Sequence, residues 1–368
     1  MVGGAGGWSL GPFERRGAVV LDGRSEAVFD CPVSGRSVAW AAKDVFNPGA
    51  VVHEDRVHLL VRGEDHEGRY AGVSRIGLAT SDDGLSFVLE PEPVLFPGDD
   101  PWQAWEWPGG CEDPRVVESP EGGFVCTYTA FDGKNAALFV ATSPDLRQWV
   151  KHGPAFAGSD HVKRTGKSGA IVTELVDGRL VAARVDGRYW MYWGEGTCWI
   201  ATSDDLVRWR PVEFDPAADR FLTFDADTQG WGLARVGGGR ALRPVLFPRR
   251  GRFDSLLVEP GPPALLTDDG IVLVYNGANH HEHGDPDLPA FAYQPGQALF
   301  DRGDPTACNA RATAPFLRPE EEGERHGQVD NVCFAQGLVR FRGAWHLYHG
   351  MADSSIGCAT APASTTEA

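Results

Sequence analysis

Apolar and polar residues alternate with a period of two in short runs, each broken by turn residues. Phe46-Asn47-Pro48-Gly49-Ala50 leads into Val51-Val52-His53, Glu54-Asp55 turn the chain, and Val57-His58-Leu59-Leu60-Val61-Arg62 returns. Alternation on both sides of a polar turn predicts a hairpin. A third run, Ser74-Arg75-Ile76-Gly77-Leu78-Ala79-Thr80-Ser81, ends in Asp82-Asp83-Gly84 and an aromatic, Phe87.

The unit then recurs. A second copy runs through Arg115-Val116-Val117-Glu118, Phe124-Val125-Cys126-Thr127-Tyr128-Thr129 and Ala141 to Trp149, and a third through Ala170 to Thr173, Tyr189 to Gly194 and Ala201 to Trp209. The fourth has Ala264 to Leu266, Ile271 to Gly277 and Gln297 to Asp301, and the fifth Gly337 to Arg340, Trp345 to Gly350 and Ile356 to Ala359. One small twisted sheet cannot bury both faces alone, whereas a ring of sheets buries each against a neighbour. The reading is therefore an all-β chain, a five-bladed β-propeller over residues 44–362, with residues 1–43 an arm across the main body. Two β-sandwiches would leave the threefold Ala-Thr-Ser with a following Asp unexplained; those Ser and Asp residues are turn chemistry.

Composition narrows the partners. A net charge of -17 argues against nucleic acid or an anionic membrane, both of which require a basic surface. A neutral small molecule fits better, and a homo-oligomer is left open. The seven cysteines are scattered without a CxxC pair and read as reduced thiols. Met1 to Pro12 lacks a basic and then apolar leader, and no run approaches the ~20 apolar residues of a membrane span; a cytoplasmic protein is expected.

Candidate chemistry concentrates in Trp105-Glu106-Trp107-Pro108-Gly109-Gly110-Cys111-Glu112-Asp113-Pro114-Arg115. Indole faces suit sugar rings, the Gly pair permits close backbone approach, and two carboxylates follow. Asp113 is the candidate acid, its pKa expected to be raised by desolvation among the tryptophans. A plainer reading has Asp113-Pro114 start a turn and Arg115 neutralise it. Blades of a propeller bring corresponding positions together at the axis. The polar residues at those entries are Asn47, Arg62, Arg75, Asp113, Lys167, Glu195, Glu259 and Asp353. Arg62 and Arg75 could equally pair the acids in a buried network.

Two stretches interrupt the repeat. Residues 211 to about 245 read as an insertion or long loop. Residues 279–296 form another loop, opening Asn279-His280-His281-Glu282-His283-Gly284-Asp285, which is expected to overhang a sugar site as a lid. Its three histidines lack the strand or helix framework that fixes ligand geometry, so neither a metal nor another cofactor is expected.

The ordered motifs resemble glycoside hydrolase family 130. They are Phe46-Asn47-Pro48-Gly49-Ala50, Arg62-Gly63-Glu64-Asp65, Ser74-Arg75-Ile76-Gly77, Glu112-Asp113-Pro114-Arg115, Lys167-Ser168-Gly169-Ala170, Val258-Glu259-Pro260-Gly261-Pro262 and Gly350-Met351-Ala352-Asp353. The resemblance covers about residues 44–362 and implies β-mannoside phosphorylase or β-mannosidase activity on a five-bladed propeller. It implies an inverting mechanism with Asp113 as general acid, its proton passing through a mannose hydroxyl. It further implies a basic cluster for phosphate in phosphorylases, and glutamates that activate water in hydrolases. Substrate contacts are expected from Asn47, Arg62, Asp65, Arg75, Trp105, Glu106, Lys167 and Asp353.

At the end of the third unit, where a phosphorylase is expected to place basic residues, this chain has Tyr192-Trp193-Gly194-Glu195. A carboxylate there repels a phosphate dianion but can accept a proton from water. The expectation is hydrolysis of a small β-mannoside, with Glu195 and Glu259 competing as base. Phosphorolysis to mannose 1-phosphate is the alternative, followed by a non-catalytic sugar-binding propeller and, more distantly, a furanosidase. The residues around Val185-Asp186-Gly187-Arg188 and Met351 depart from the family pattern.

Overall fold

The computed structural model describes residues 7–363 except 18, 24–25, 68–71, 163–165, 215–222, 226–229 and 233–240. Most of the stretch expected as an insertion at 211–245 thus lies outside the described residues. Of its described part, Glu213–Phe214 pairs with Ala241–Leu242, and Pro244–Leu246 rejoins the third sheet against Cys198 and Trp199.

The fold is all-β; among the described residues the two α-helices, Gln103–Glu106 and Glu322–Arg325, span four residues each. Antiparallel pairing follows the repeat. Asp44–His53, Arg56–Glu64, Ser74–Ser81 and Val88–Leu89 form the first sheet. Gly110–Glu118, Phe124–Phe131, Ala136–Ser143 and Val150–Pro154 form the second. In the third, Ala170–Val176 pairs with Arg188–Trp193, followed by Cys198–Ser203 and Trp209–Pro211. Around the departure at Val185 to Arg188, Arg179–Ala182 and Arg184–Val185 add a hairpin edge to this sheet. Leu257–Pro260 and Ala264–Leu266 both pair with Ile271–Ala278, which continues to Tyr293–Phe300 and Cys308–Arg311. The last sheet is Cys333–Phe341, Ala344–Met351 and Ser355–Pro362. Two short strands of the N-terminal arm, Glu14–Arg15 and Leu21–Asp22, complete it by pairing with Ser355–Pro362.

Period-two alternation explains how these sheets stack, because successive side chains face opposite neighbours. Leu60, Ile76 and Leu78 of the first sheet pack with Val116, Cys126 and Phe139 of the second. Val117, Val125 and Val140 turn the other way, onto Ile171, Met191 and Ala201 of the third. Val172, Tyr192 and Ile200 meet Leu273, Tyr275 and Phe300, and Val272, Val274 and Leu299 meet Leu338, Trp345 and Leu347. Val339, Phe341 and Tyr348 return to Val57, Leu59 and Val61 of the first sheet.

The entry strands carry a shared irregularity. Register slips at Asn47-Pro48, at Asp113-Pro114 and at Gln336, so each strand bulges at a corresponding position. Proline has no N–H for a ladder and is tolerated at a bulge. The Gln336 amide donates to the carbonyls of Asn47 (2.6 Å) and Pro114 (2.8 Å), tying the three bulges together.

Candidate active site

A cavity of about 150 Å³ opens where the bulged strands meet, lined by residues from strands and loops along the chain, among them Asn47, Arg62, Asp113, Lys167, Glu195, Glu259 and Asp353. Three of these positions have left-handed backbone, Asn47 (φ 46°), Asp113 (φ 48°) and Asp353 (φ 53°), as does Ser168 (φ 60°) next to Lys167. Such conformations are disfavoured for residues with a Cβ, and their clustering on one cavity marks a functional site. Gly350 makes room for one of them, since a Cβ there would stand 2.1 Å from Asn47 Oδ1.

The lining divides into two groups. In the first, Asn47 Nδ2 donates to Asp113 Oδ1 (3.0 Å), and Arg62 reaches Asp113 (3.2 Å), Glu112 (3.0 Å) and Glu64 (2.7 Å). Burial would push the Asp113 carboxyl up, but Arg62, Lys167 and the Asn47 hydrogen bond together hold it below its ordinary value. Asp353 is pushed up to about 6 by burial and by Asp113 and Glu64, against the pull of Arg62. In the second group Lys167 Nζ lies 3.6 Å from Glu195, and the Ser168 hydroxyl donates to Glu259 Oε1. Burial, with the Glu195 charge, raises Glu259 to about 7 despite Lys167 and Arg115. Glu195, chiefly, together with Glu259 raises the Lys167 ammonium against burial, so it stays charged.

Seven of the expected site residues thus share one cavity. Four others lie elsewhere. Arg75 is buried behind the first sheet, 2.6 Å from Asp65, with Phe29 against its guanidinium. Asp65 accepts from the backbone of Glu67 and Val73, closing the ends of a loop. Trp105 packs on Phe139, and Glu106 is enclosed by Tyr128 (2.8 Å) and Lys151 (2.5 Å). The expected cause of an elevated Asp113 pKa therefore fails: its neighbours are cations and an amide, not indoles. Arg115 is not chiefly a counter-ion, since it donates to the carbonyls of Gly261 (2.7 Å) and Pro260 (2.8 Å) and so ties the second sheet to the fourth.

The apolar part of the wall comes from Tyr293, Val329, Val332 and Phe334, none anticipated from the sequence. Tyr293 opens a strand where the sequence reading placed a loop. The histidine loop contributes no described lining residue except at that end. His280 Nδ1 accepts from the backbone N–H of Glu282 (3.0 Å) and His283 (3.2 Å), so its lone pair already closes a turn. A second trio, buried Glu324, Cys333 and His349, has donor atoms within 4.8 Å. Arg15 already holds both Glu324 oxygens there (2.9 and 3.1 Å), and a guanidinium in contact with the carboxylate opposes a cation. Burial, then Glu324, keeps the Cys333 thiol protonated.

Paired carboxylates facing one cavity are the residue types that glycosidic-bond chemistry uses, and here they face Arg62 and Lys167 among the described lining residues. The chain belongs to glycoside hydrolase family 130, whose sequence model, described as beta-1,4-mannooligosaccharide phosphorylase, matches residues 28–365. It is 28% identical to a 1,2-beta-oligomannan phosphorylase of Thermoanaerobacter sp., over 87% of this chain and 90% of that protein. It is 41% identical to a solved glycosyl hydrolase from Bacteroides ovatus, with a TM-score of 0.87 over 97% of this chain and 96% of the other. A further solved structure, 41% identical with a TM-score of 0.87 over 98% of both chains, accompanies the statement that this family of mannoside phosphorylases contains hydrolases targeting beta-1,2 mannosidic linkages in Candida mannan. Among the described residues no helix is long and apolar enough to cross a membrane.

Proposed function

We propose that this enzyme, which belongs to a mannoside-processing family, removes mannose from a small β-mannoside with inversion, water being the nucleophile. On this reading the five sheets are blades of a propeller and the cavity is its axial site. The observation that carries hydrolysis is the state of the cations. Among the described lining residues these are Arg62 and Lys167, and each already faces carboxylates. A phosphate dianion would have to displace those partners and approach Glu195 and Glu259. Water meets no such barrier.

Glu259, at about 7, is poised near the pH at which a general base is most effective. The Glu195 charge keeps its proton affinity high. Asp113 is the acid that the resemblance implies. Its carboxyl is held below its ordinary value by Arg62, Lys167 and Asn47, so its protonation belongs to the sugar-bound state, in which the substrate excludes water. Asn47 and Arg62 orient it, and Tyr293 and Phe334 offer flat faces to the sugar.

The named relatives favour a second reading, phosphorolysis, because those at 22–28% identity are phosphorylases. The sequence also has Lys163 and Arg164 close before Lys167, both outside the described residues. One experiment separates the readings: incubation with β-mannobioses of each linkage, with and without phosphate. Free mannose formed without phosphate is the expected result. Mannose 1-phosphate formed only with phosphate establishes phosphorolysis instead.

A further inference from the structure

We propose that Ser168 is a positioning residue for the base: its hydroxyl holds the Glu259 carboxylate at the cavity and favours its ionised form. The inference rests on the hydrolytic reading above and deepens it. Ser168 lies just before the strand Ala170–Val176 and Glu259 in the strand Leu257–Pro260, 91 positions apart, and both are buried. The hydroxyl donates to Glu259 Oε1 from a residue held at φ 60°, a backbone conformation that glycine would adopt with less strain. The side chain that strains the backbone here carries the hydroxyl that bonds Glu259.

The turn at Lys167-Ser168 serves both glutamates. Lys167 faces Glu195 at 3.6 Å, its carbonyl accepts the Gly194 N–H at 2.8 Å, and the next residue bonds Glu259. The charged and titratable groups that act on Glu259 are Glu195 and Lys167 from the third sheet and Arg115 from the second. Tyr293 and Cys198 are influenced by it in turn. Of these contacts only the Ser168 hydroxyl is a directional donor to Glu259. A donor to a carboxylate stabilises the charged form, so its loss raises the proton affinity of the base.

The test is the pH dependence of kcat/KM for β-mannobiose in the wild type, Ser168→Ala and Ser168→Gly. Alanine removes the hydroxyl and keeps the strain, whereas glycine removes both. Both variants are expected to move the acidic limb upward, giving a ~3- to 10-fold loss near pH 6 that fades toward pH 9. An unmoved limb, a loss equal at every pH, or a shift in the alanine variant alone overturns the proposal. Failure of the wild type to release mannose without phosphate sinks the hydrolytic reading instead, and is scored separately from the variants.

Discussion

Asp113 and Glu259 carry opposite electrostatic histories although both are buried carboxyls on one cavity. Arg62, Lys167 and Asn47 outweigh burial at Asp113, whereas at Glu259 burial and Glu195 prevail over Lys167 and Arg115. Asp113→Asn keeps shape and hydrogen bonding but cannot transfer a proton. Turnover is expected to fall by at least ~10²-fold with mannoside affinity largely kept, as read by steady-state kinetics and calorimetric binding. Glu259 also makes a statement about stability. Its folded value of about 7 exceeds the ordinary 4.5, so its contribution is fully present below 4.5 and is lost as pH rises through 7. Glu259→Gln is therefore expected to melt above the wild type by a few degrees at pH 8, with the gap closing toward pH 4, while losing activity. Equal melting temperatures at pH 8 would show that the carboxylate is not strained by burial.

At the scale of the strand, the sequence was legible where a polar residue stands before a proline. Asn47-Pro48 and Asp113-Pro114 do so at bulges and Glu259-Pro260 in a regular strand, and all three polar residues reach the cavity. Arg75 and Glu106 were misplaced because a charged residue reads the same whether it faces a cavity or a partner in the neighbouring layer. Trp105 misled likewise, its indole serving Phe139. Tyr293 and Phe334 were invisible because alternation says which residues are buried but not against what. Gly350 lies on the same footing as the bulges: Gly350→Ala would drive a methyl group into Asn47. The expected outcome is a fall in kcat by ~10-fold or more with the melting temperature reduced by no more than a few degrees. A crystal structure of the variant with Asn47 and Asp113 unmoved would refute that account.

The whole molecule depends on sheets that bury one another, and on the arm that completes the last. Arg15 grips Glu324, whose side chain is 1% exposed and which also meets His349 at 3.2 Å. Arg15→Ala is expected to destabilise the protein by about 3 kcal/mol, since it strands a buried carboxylate, and denaturant titration measures this. Prolonged chelation, by contrast, is expected to leave mannoside turnover unchanged; loss on chelation with rescue by one divalent ion would reinstate a metal.

The pairing of Glu14–Arg15 and Leu21–Asp22 with Ser355–Pro362 joins segments more than 330 positions apart. The arm is synthesised well ahead of its partner, so those early strands wait through more than 330 further residues before they have anything to pair with. Contacts so distant in sequence form slowly, and an unpaired edge invites association with other chains in the meantime. Asp353 sits in the turn just before that final strand, so the cavity wall is finished in the same event that captures the arm. Completion of the cavity wall and the covering of the sheet's exposed edge therefore arrive together.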